Sequence, residues 1–240
     1  MRVRIRYGVE GKVRFLSHRD VARVMERAIR RAAVPVAYTE GFSPRPKVQY
    51  GLALSTGYES DGEYIDIYLD PERQGVRDPR EMALALTVCL PAGLEVLAAA
   101  EVPRQATSLQ DSVESTQWRV LLDVTGGGAM GGLAQQVDEL LASESYEIDI
   151  IRKGKPVSED LRPLVHALRV TAPSGGGPAV LEAELGTKPR SIRPSELLGA
   201  LGVSEPRLVR RTHQWTRRDG DRREPLALGD LSPRAEACAS

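Results

Sequence analysis

The sequence predicts an α+β protein built from two tandem ferredoxin-like units, each a β-α-β-β-α-β order with an antiparallel sheet. Three observations lead there. Apolar and polar residues alternate with period two in several short segments, which marks strands. Longer segments repeat apolar residues every three or four positions, which marks helices packed on one face. The order of these segments in the first half recurs in the second, without appreciable identity between the halves.

Residues 2–8, RVRIRYG, set Val3, Ile5 and Tyr7 against Arg2, Arg4 and Arg6, the pattern of a half-buried first strand, and GKVRFLS continues it after a turn. Ser17 with Asp20 three residues later resembles a capping box, aspartate replacing the usual glutamate, so a helix starts there. That helix runs to about Ala33: Val21, Val24, Met25, Ala28, Ile29 and Ala32 form one apolar stripe, and Pro35 stops it. VAYTE, KVQYGLAL and EYIDIYLD read as strands, giving an extra strand or two at the first connection. A helix is expected over 78–89 and a strand over 93–101.

In the second half, STQWRVLLDV is a strand, GLAQQVDELLASES a helix, and YEIDIIRK, LVHALRV and AVLEAELG are strands. RPSELLGALG is a short helix and RLVRRTHQW the closing strand. GGGAMGG (126–132) and SGGG (174–177) are expected as loops, since neither has the GK[ST] ending or GxGxxG spacing of a phosphate cradle. The expected division is a first domain over 1–104, a linker over 105–113, a second domain over 114–225 and a disordered tail over 226–240.

Composition excludes several classes. With 41% apolar and 28% charged residues the chain reads as a soluble globular protein. No apolar run approaches the roughly 18 residues of a membrane helix. The N-terminus lacks the apolar core of a signal peptide, so a cytoplasmic location and no membrane partner are expected. Cys89 and Cys238 are too few for a disulfide framework. His18, His166 and His213 lie far apart with no CxxC or HxxxH, so no metal and no cofactor are expected.

Net charge is zero but segregated. Residues 1–50 carry 12 Lys or Arg against 4 Asp or Glu, residues 51–200 carry 13 against 23, and residues 201–240 carry 8 against 6. A neutral protein with one basic segment has the footprint of a nucleic-acid binder, and equally of a small domain that displays arginines.

The candidate residues cluster in that basic segment. Arg19, Arg23, Arg27, Arg30 and Arg31 fall outside the apolar stripe of the first helix, with Glu26 placed to pair with Arg30. Guanidinium forks suit phosphate, and the same pattern describes a solvated face. His18, one residue past the cap, is a general base or phosphate donor, or a histidine that simply bonds a neighbouring loop. In YTEGFSPRPKVQYG, Gly41 permits a positive φ, while Pro44 and Pro46 stiffen a segment that presents Arg45 and Lys47. Phe42, one of two phenylalanines, either stacks on a base or plugs the core. Glu59, Asp61 and Glu63 form an acidic cluster for a cation or basic partner, or a solvated turn. RRTHQWTRRDGDRR interleaves His213 and Trp215 with six arginines and reads as a basic hairpin, Trp215 packing or stacking.

Phe15-Leu16-Ser17-His18 with Asp20, the Glu26-Arg27 and Arg30-Arg31 pairs, Pro35, Gly41-Phe42, Pro44, Pro46-Lys47 and the Gly57, Glu59, Glu63 segment carry a resemblance. The chain resembles the uncharacterised radical SAM-linked (radical SAM-associated) protein family over residues 1 to about 70, and more weakly to about 220. In that family the domain follows a radical SAM domain or stands alone beside a gene for one, often near genes for an E/G-type ribonuclease and ribosomal proteins. Because the chain has no CxxxCxxC triplet, the resemblance implies the stand-alone form.

The expected function is then an accessory module of a separately encoded radical SAM enzyme. It would hold RNA (tRNA or rRNA) through Arg19, Arg23, Arg27, Arg30, Arg31, Phe42, Arg45 and Lys47 and present it, without catalysis of its own. One alternative is a metal-independent endoribonuclease, like the CRISPR repeat-cleaving proteins with their paired ferredoxin-like domains, using His18 as base with Lys47 or Tyr38 assisting. The other is a protein–protein adaptor that binds no RNA.

Overall fold

The computed structural model describes residues 1–123, 127–152, 154–172, 177–218 and 220–226. The fold is α+β with mostly antiparallel strand pairing, in two units: Met1–Val113 with Thr216 onward, and Glu114–Trp215. The SGGG segment up to residue 176, the tail after Leu226, and Cys238 lie outside the described residues. Among the described residues no helix is long and apolar enough to cross a membrane.

In the first unit β1 (Arg2–Val9), α1 (His18–Arg31), β2 (Val48–Tyr50), β3 (Glu59–Tyr68), α2 (Pro79–Cys89) and β4 (Leu94–Val102) follow in order, and α3 (Leu109–Ser112) is a single turn. The strands lie β4-β1-β3-β2, every neighbour antiparallel. Val3, Ile5, Tyr7 and Val9 of β1 and Ile65 and Ile67 of β3 pack with Val21, Met25, Ala28 and Ile29 of α1 and with Met82, Ala83 and Leu86 of α2. The apolar stripe of α1 is therefore the core stripe.

Several local expectations are corrected. GKVRFLS does not extend β1: Gly11, with φ +65, turns the chain into a 3-10 helix over Gly11–Phe15. Asp20 does not complete a capping box. Its backbone N–H donates to Ser17 Oγ at 3.2 Å, and its carboxylate takes the Ser17 hydroxyl at 2.7 Å instead of the cap's own N–H. α1 ends before Pro35 acts, because Ala33 adopts φ +52 and a Schellman turn closes: Val34 N–H donates to Ile29 O at 3.1 Å and Ala33 N–H to Arg30 O at 3.2 Å. VAYTE contributes only isolated bridges, Val36 to Leu69 and Tyr38 to Pro46, and of KVQYGLAL only three residues form a strand.

The opposite face of this sheet overturns the solvated reading of β1. Arg2, Arg4 and Arg6 are 2%, 7% and 1% exposed. The register puts Arg2 beside Tyr68, Arg4 beside Asp66 and Arg6 beside Tyr64. Asp66, fully buried, bridges two guanidiniums: Arg4 Nε donates to its Oδ1 at 2.8 Å, while Arg2 Nε reaches Oδ2 at 3.1 Å, as do Arg2 Nη2 and Arg4 Nη2. Arg2 also donates to Ala106 O at 2.6 Å, Arg6 to Asp61 O at 2.8 Å, and Arg6 to Glu224 Oε2 at 2.5 Å. The 103–112 stretch and residues 224–226 supply the carbonyls and apolar cover, with Leu109 and Leu226 buried beside Tyr64 and Ala98. Leu226 is thus core, not the start of a tail.

In the second unit β5 (Val113–Leu122), α4 (Gly127–Ala142), β6 (Glu147–Arg152), β7 (Lys155–Asp160), β8 (Val165–Thr171), β9 (Ala179–Gly186), α5 (Pro194–Ala200) and β10 (Leu208–Arg218) follow. The sheet order is β10-β5-β9-β8, and β6-β7 is a separate antiparallel hairpin that the period-two pattern did not separate. The expected GGGAMGG loop is helical from Gly127. Gly128, Gly131 and Gly132 sit on open positions of α4, where a glycine costs helix propensity but meets no steric conflict. β10 turns into β11 (Asp221–Arg223) through the expected basic hairpin, Thr216 opposite Arg223.

Candidate functional site

The basic segment is carried by α1 and the residues after it. With Val21, Met25, Ala28 and Ile29 committed to the core, the helix turns Arg19, Arg23, Arg27, Arg30 and Arg31 to solvent, and all five are exposed. Arg23 pairs with Asp20 at 3.1 Å. Among the described residues, no ion pair or side-chain hydrogen bond engages the other four. The expected Glu26–Arg30 pair is not formed; Glu26 instead lies near Tyr50, where its charge, after burial, helps push the phenol's pKa up. This face therefore presents guanidiniums whose donors are available to a ligand.

After the Schellman turn the chain makes a narrow loop. Lys47 N–H donates to Ala37 O at 2.7 Å, Thr39 N–H to Arg45 O at 2.9 Å, and Arg45 N–H to Thr39 Oγ1 at 3.0 Å. These bonds close the loop below its tip, residues 40–44. There Gly41 has φ +124 and Phe42 is fully exposed. Arg45 is exposed just below the tip.

Lys47 does not join the helix arginines. β2 pairs Val48 with Ile67 and Tyr50 with Ile65 on the helix-packed face, so Lys47 and Gln49 project from the other face, with Asp66 and Tyr68. The Lys47 amine sits 5.2 Å from the Tyr68 ring centre, and the Arg2 guanidinium 5.4 Å from the same ring. His18 stays on the helix side, its ring edge-on to Tyr50 at 5.4 Å. The sheet thus separates His18 from Lys47, and Tyr38 is engaged by Arg73 at 4.8 Å from its ring centre. A base–acid pair at one scissile bond is not assembled by these three residues.

Beneath His18 lies a cavity of about 20 Å³ lined by Tyr7, Arg14, Ser55 and Glu63 among others. That volume admits roughly one water, too little for a substrate. The expected acidic turn is not a turn: Glu59 and Glu63 are buried in β3, and Glu59 Oε1 accepts from Gly11 N–H at 2.9 Å and Arg14 at 3.1 Å. Among the described residues no group of three or more His, Cys, Asp and Glu side chains is arranged to hold a metal.

In the second unit His213 stacks on Trp215, ring centres 4.9 Å apart and 5° from parallel, and Trp215 Nε1–H donates to Gln117 Oε1 at 3.3 Å. Trp215 is half-buried. A groove of about 630 Å³ runs between β6 and α5, lined by Tyr146, Ile148, Ile150, Arg193 and Glu196 among others. No local motif marked it, because the strand β6 and the helix that form it are more than forty residues apart.

The second phenylalanine is Phe15, the first residue of the Phe15-Leu16-Ser17-His18 motif. It is 61% exposed at the end of the 3-10 helix, with the Arg14 guanidinium 4.8 Å from its ring centre. The signal was available in composition: a chain with only two phenylalanines, both beside basic or turn residues.

Residues 2–194 match a protein family described as "Uncharacterized protein conserved in bacteria (DUF2344)". No curated protein matches the sequence. Among solved structures the chain is similar in fold to a chain from a crystal structure of a Cbf5-Nop10-Gar1 complex, at 10% identity and a TM-score of 0.50. The similarity covers 88% of this chain and 48% of that one, so this chain spans about half the length of that neighbour. The chain belongs to the uncharacterised bacterial family.

Proposed function

We propose that this chain is a non-catalytic RNA-binding module that presents its RNA to a separate radical SAM enzyme in the cytoplasm. The single observation that carries the RNA reading is the outer face of α1, where Arg19, Arg27, Arg30 and Arg31 are exposed and, among the described residues, uncommitted to any acid. Guanidiniums left in this state meet phosphate oxygens two at a time. The radical SAM partner is supported by the resemblance in residues 1 to about 70, whose motif residues lie in the first unit. We read the two units as tandem ferredoxin-like folds. Support comes from the order fourth-first-third-second in each sheet, with the β6-β7 hairpin as an insertion in the second. Catalysis by His18 finds less support, since neither Lys47 nor Tyr38 stands with it.

The test is filter binding of the purified protein to total cellular RNA at low and moderate salt, wild type beside the triple variant R23E/R27E/R30E. Salt-sensitive binding that the variant loses is the expected result. Absence of binding by the wild type would overturn the reading and leave a protein partner as the ligand of this face.

A further inference from the structure

Phe42 is placed where nothing in the fold uses it. Phenylalanine is among the residues most often buried, yet this side chain is fully exposed. It is also not on a loose loop: three hydrogen bonds between 37–39 and 45–47 fasten the segment, Pro44 and Pro46 restrict it, and Gly41 supplies the positive φ that turns the tip. The ring is therefore held out at low conformational cost. Phe15 repeats the arrangement at the other end of α1, exposed and already carrying a guanidinium on its ring. The helix between them is 14 residues, about 21 Å, and bears the outward arginines. A basic helix preceded and followed in the chain by an exposed aromatic ring matches single-stranded nucleic acid, whose bases stack while its backbone meets the cations.

We infer that Phe42 is a stacking platform for an unpaired base, so that the ligand of the α1 face is single-stranded RNA or a loop, not duplex. This rests on the RNA reading of the arginine face. A duplex hides its base faces and offers Phe42 nothing, whereas an apolar protein partner has no use for the cations around it. Arg45 stands just below the tip, and Glu40 is the tip's one acid.

The experiment measures fluorescence anisotropy of a short labelled RNA of mixed sequence, single-stranded and annealed to its complement, with wild type, F42A, F42W and R23E/R27E/R30E. Expected are preference for the single strand, a loss of about tenfold in F42A for the single strand alone, and recovery in F42W. Phe42 is fully exposed, so F42A removes no core packing, and unchanged thermal melting verifies that the variant folds. Equal binding of both forms, or single-strand binding that F42A leaves untouched while the arginine variant abolishes it, would sink the stacking role and spare the arginine reading. No binding by wild type to either form removes both.

Discussion

Two sets of arginines in the first unit, separated by a dozen residues, have opposite fates. Those on β1 are sealed beneath 103–112 and 224–226, bridged by Asp66 and Glu224. Those on α1 face solvent, and among the described residues only Arg23 pairs with an acid, Asp20. Both sets sit at polar positions of an amphipathic pattern, and only the second is a surface. The basic count of residues 1–50 therefore overstates the charge that a partner meets. The β1 set spends its donors on structure, which explains how a strand with three charged side chains occupies the centre of a sheet. A buried guanidinium costs several kcal/mol in lost hydration unless nearly every donor is satisfied.

The difference can be broken most sharply at Asp66. Asp66→Ala leaves two guanidiniums facing a missing carboxylate, and the loss expected in urea unfolding is about 3–5 kcal/mol. A loss under about 1 kcal/mol would mean that water or the carbonyls replace it. Glu224→Ala is expected to cost less, about 1–3 kcal/mol, since Arg6 retains its bond to Asp61 O. The triple reversal on α1 should change stability by about 0.5 kcal/mol per substitution, about 1.5 kcal/mol in all, while abolishing RNA binding. For wild type the slope of log affinity against log salt is expected to be steeper by about 0.7 for each phosphate that these arginines contact.

The smallest effect concerns the helix cap. The Ser17 hydroxyl on the carboxylate, with Arg23 beside it, holds the Asp20 pKa below the usual carboxylate range. A depressed folded-state value contributes stability above the ordinary value of about 4, and that contribution fades as the pH falls through the folded one. Asp20→Asn should therefore lower the melting temperature slightly at neutral pH, and the difference from wild type should vanish in acid. A difference that persists at pH 2 would place its origin outside the titration.

The core stripe of α1, the strand pattern of β1, the helix near 78–89 and β9 as AVLEAELG were legible, because each is local and periodic. The exposed arginines followed directly from the stripe. Less legible was where short strands stopped: KVQYGLAL and VAYTE have strand composition, but only neighbours in the sheet decide which residues pair. The α4 glycines read as loop because intrinsic propensity favours it, and tertiary packing of Leu133, Val137 and Leu140 outweighed that preference.

What the sequence by itself determined is the inventory: α+β class, the amphipathic first helix and a basic N-terminal fifth. Periodicity records which face of an element is apolar, and that survives without coordinates. The tertiary structure alone decided which charges are used up. Asp66 lies sixty-four residues from Arg2 and Glu224 two hundred and eighteen from Arg6, so no local window reveals that the β1 arginines are paired and buried. It also decided that Lys47 and His18 stand on opposite faces of one sheet, because a strand sends successive side chains to opposite sides and only pairing with β3 says which side is which.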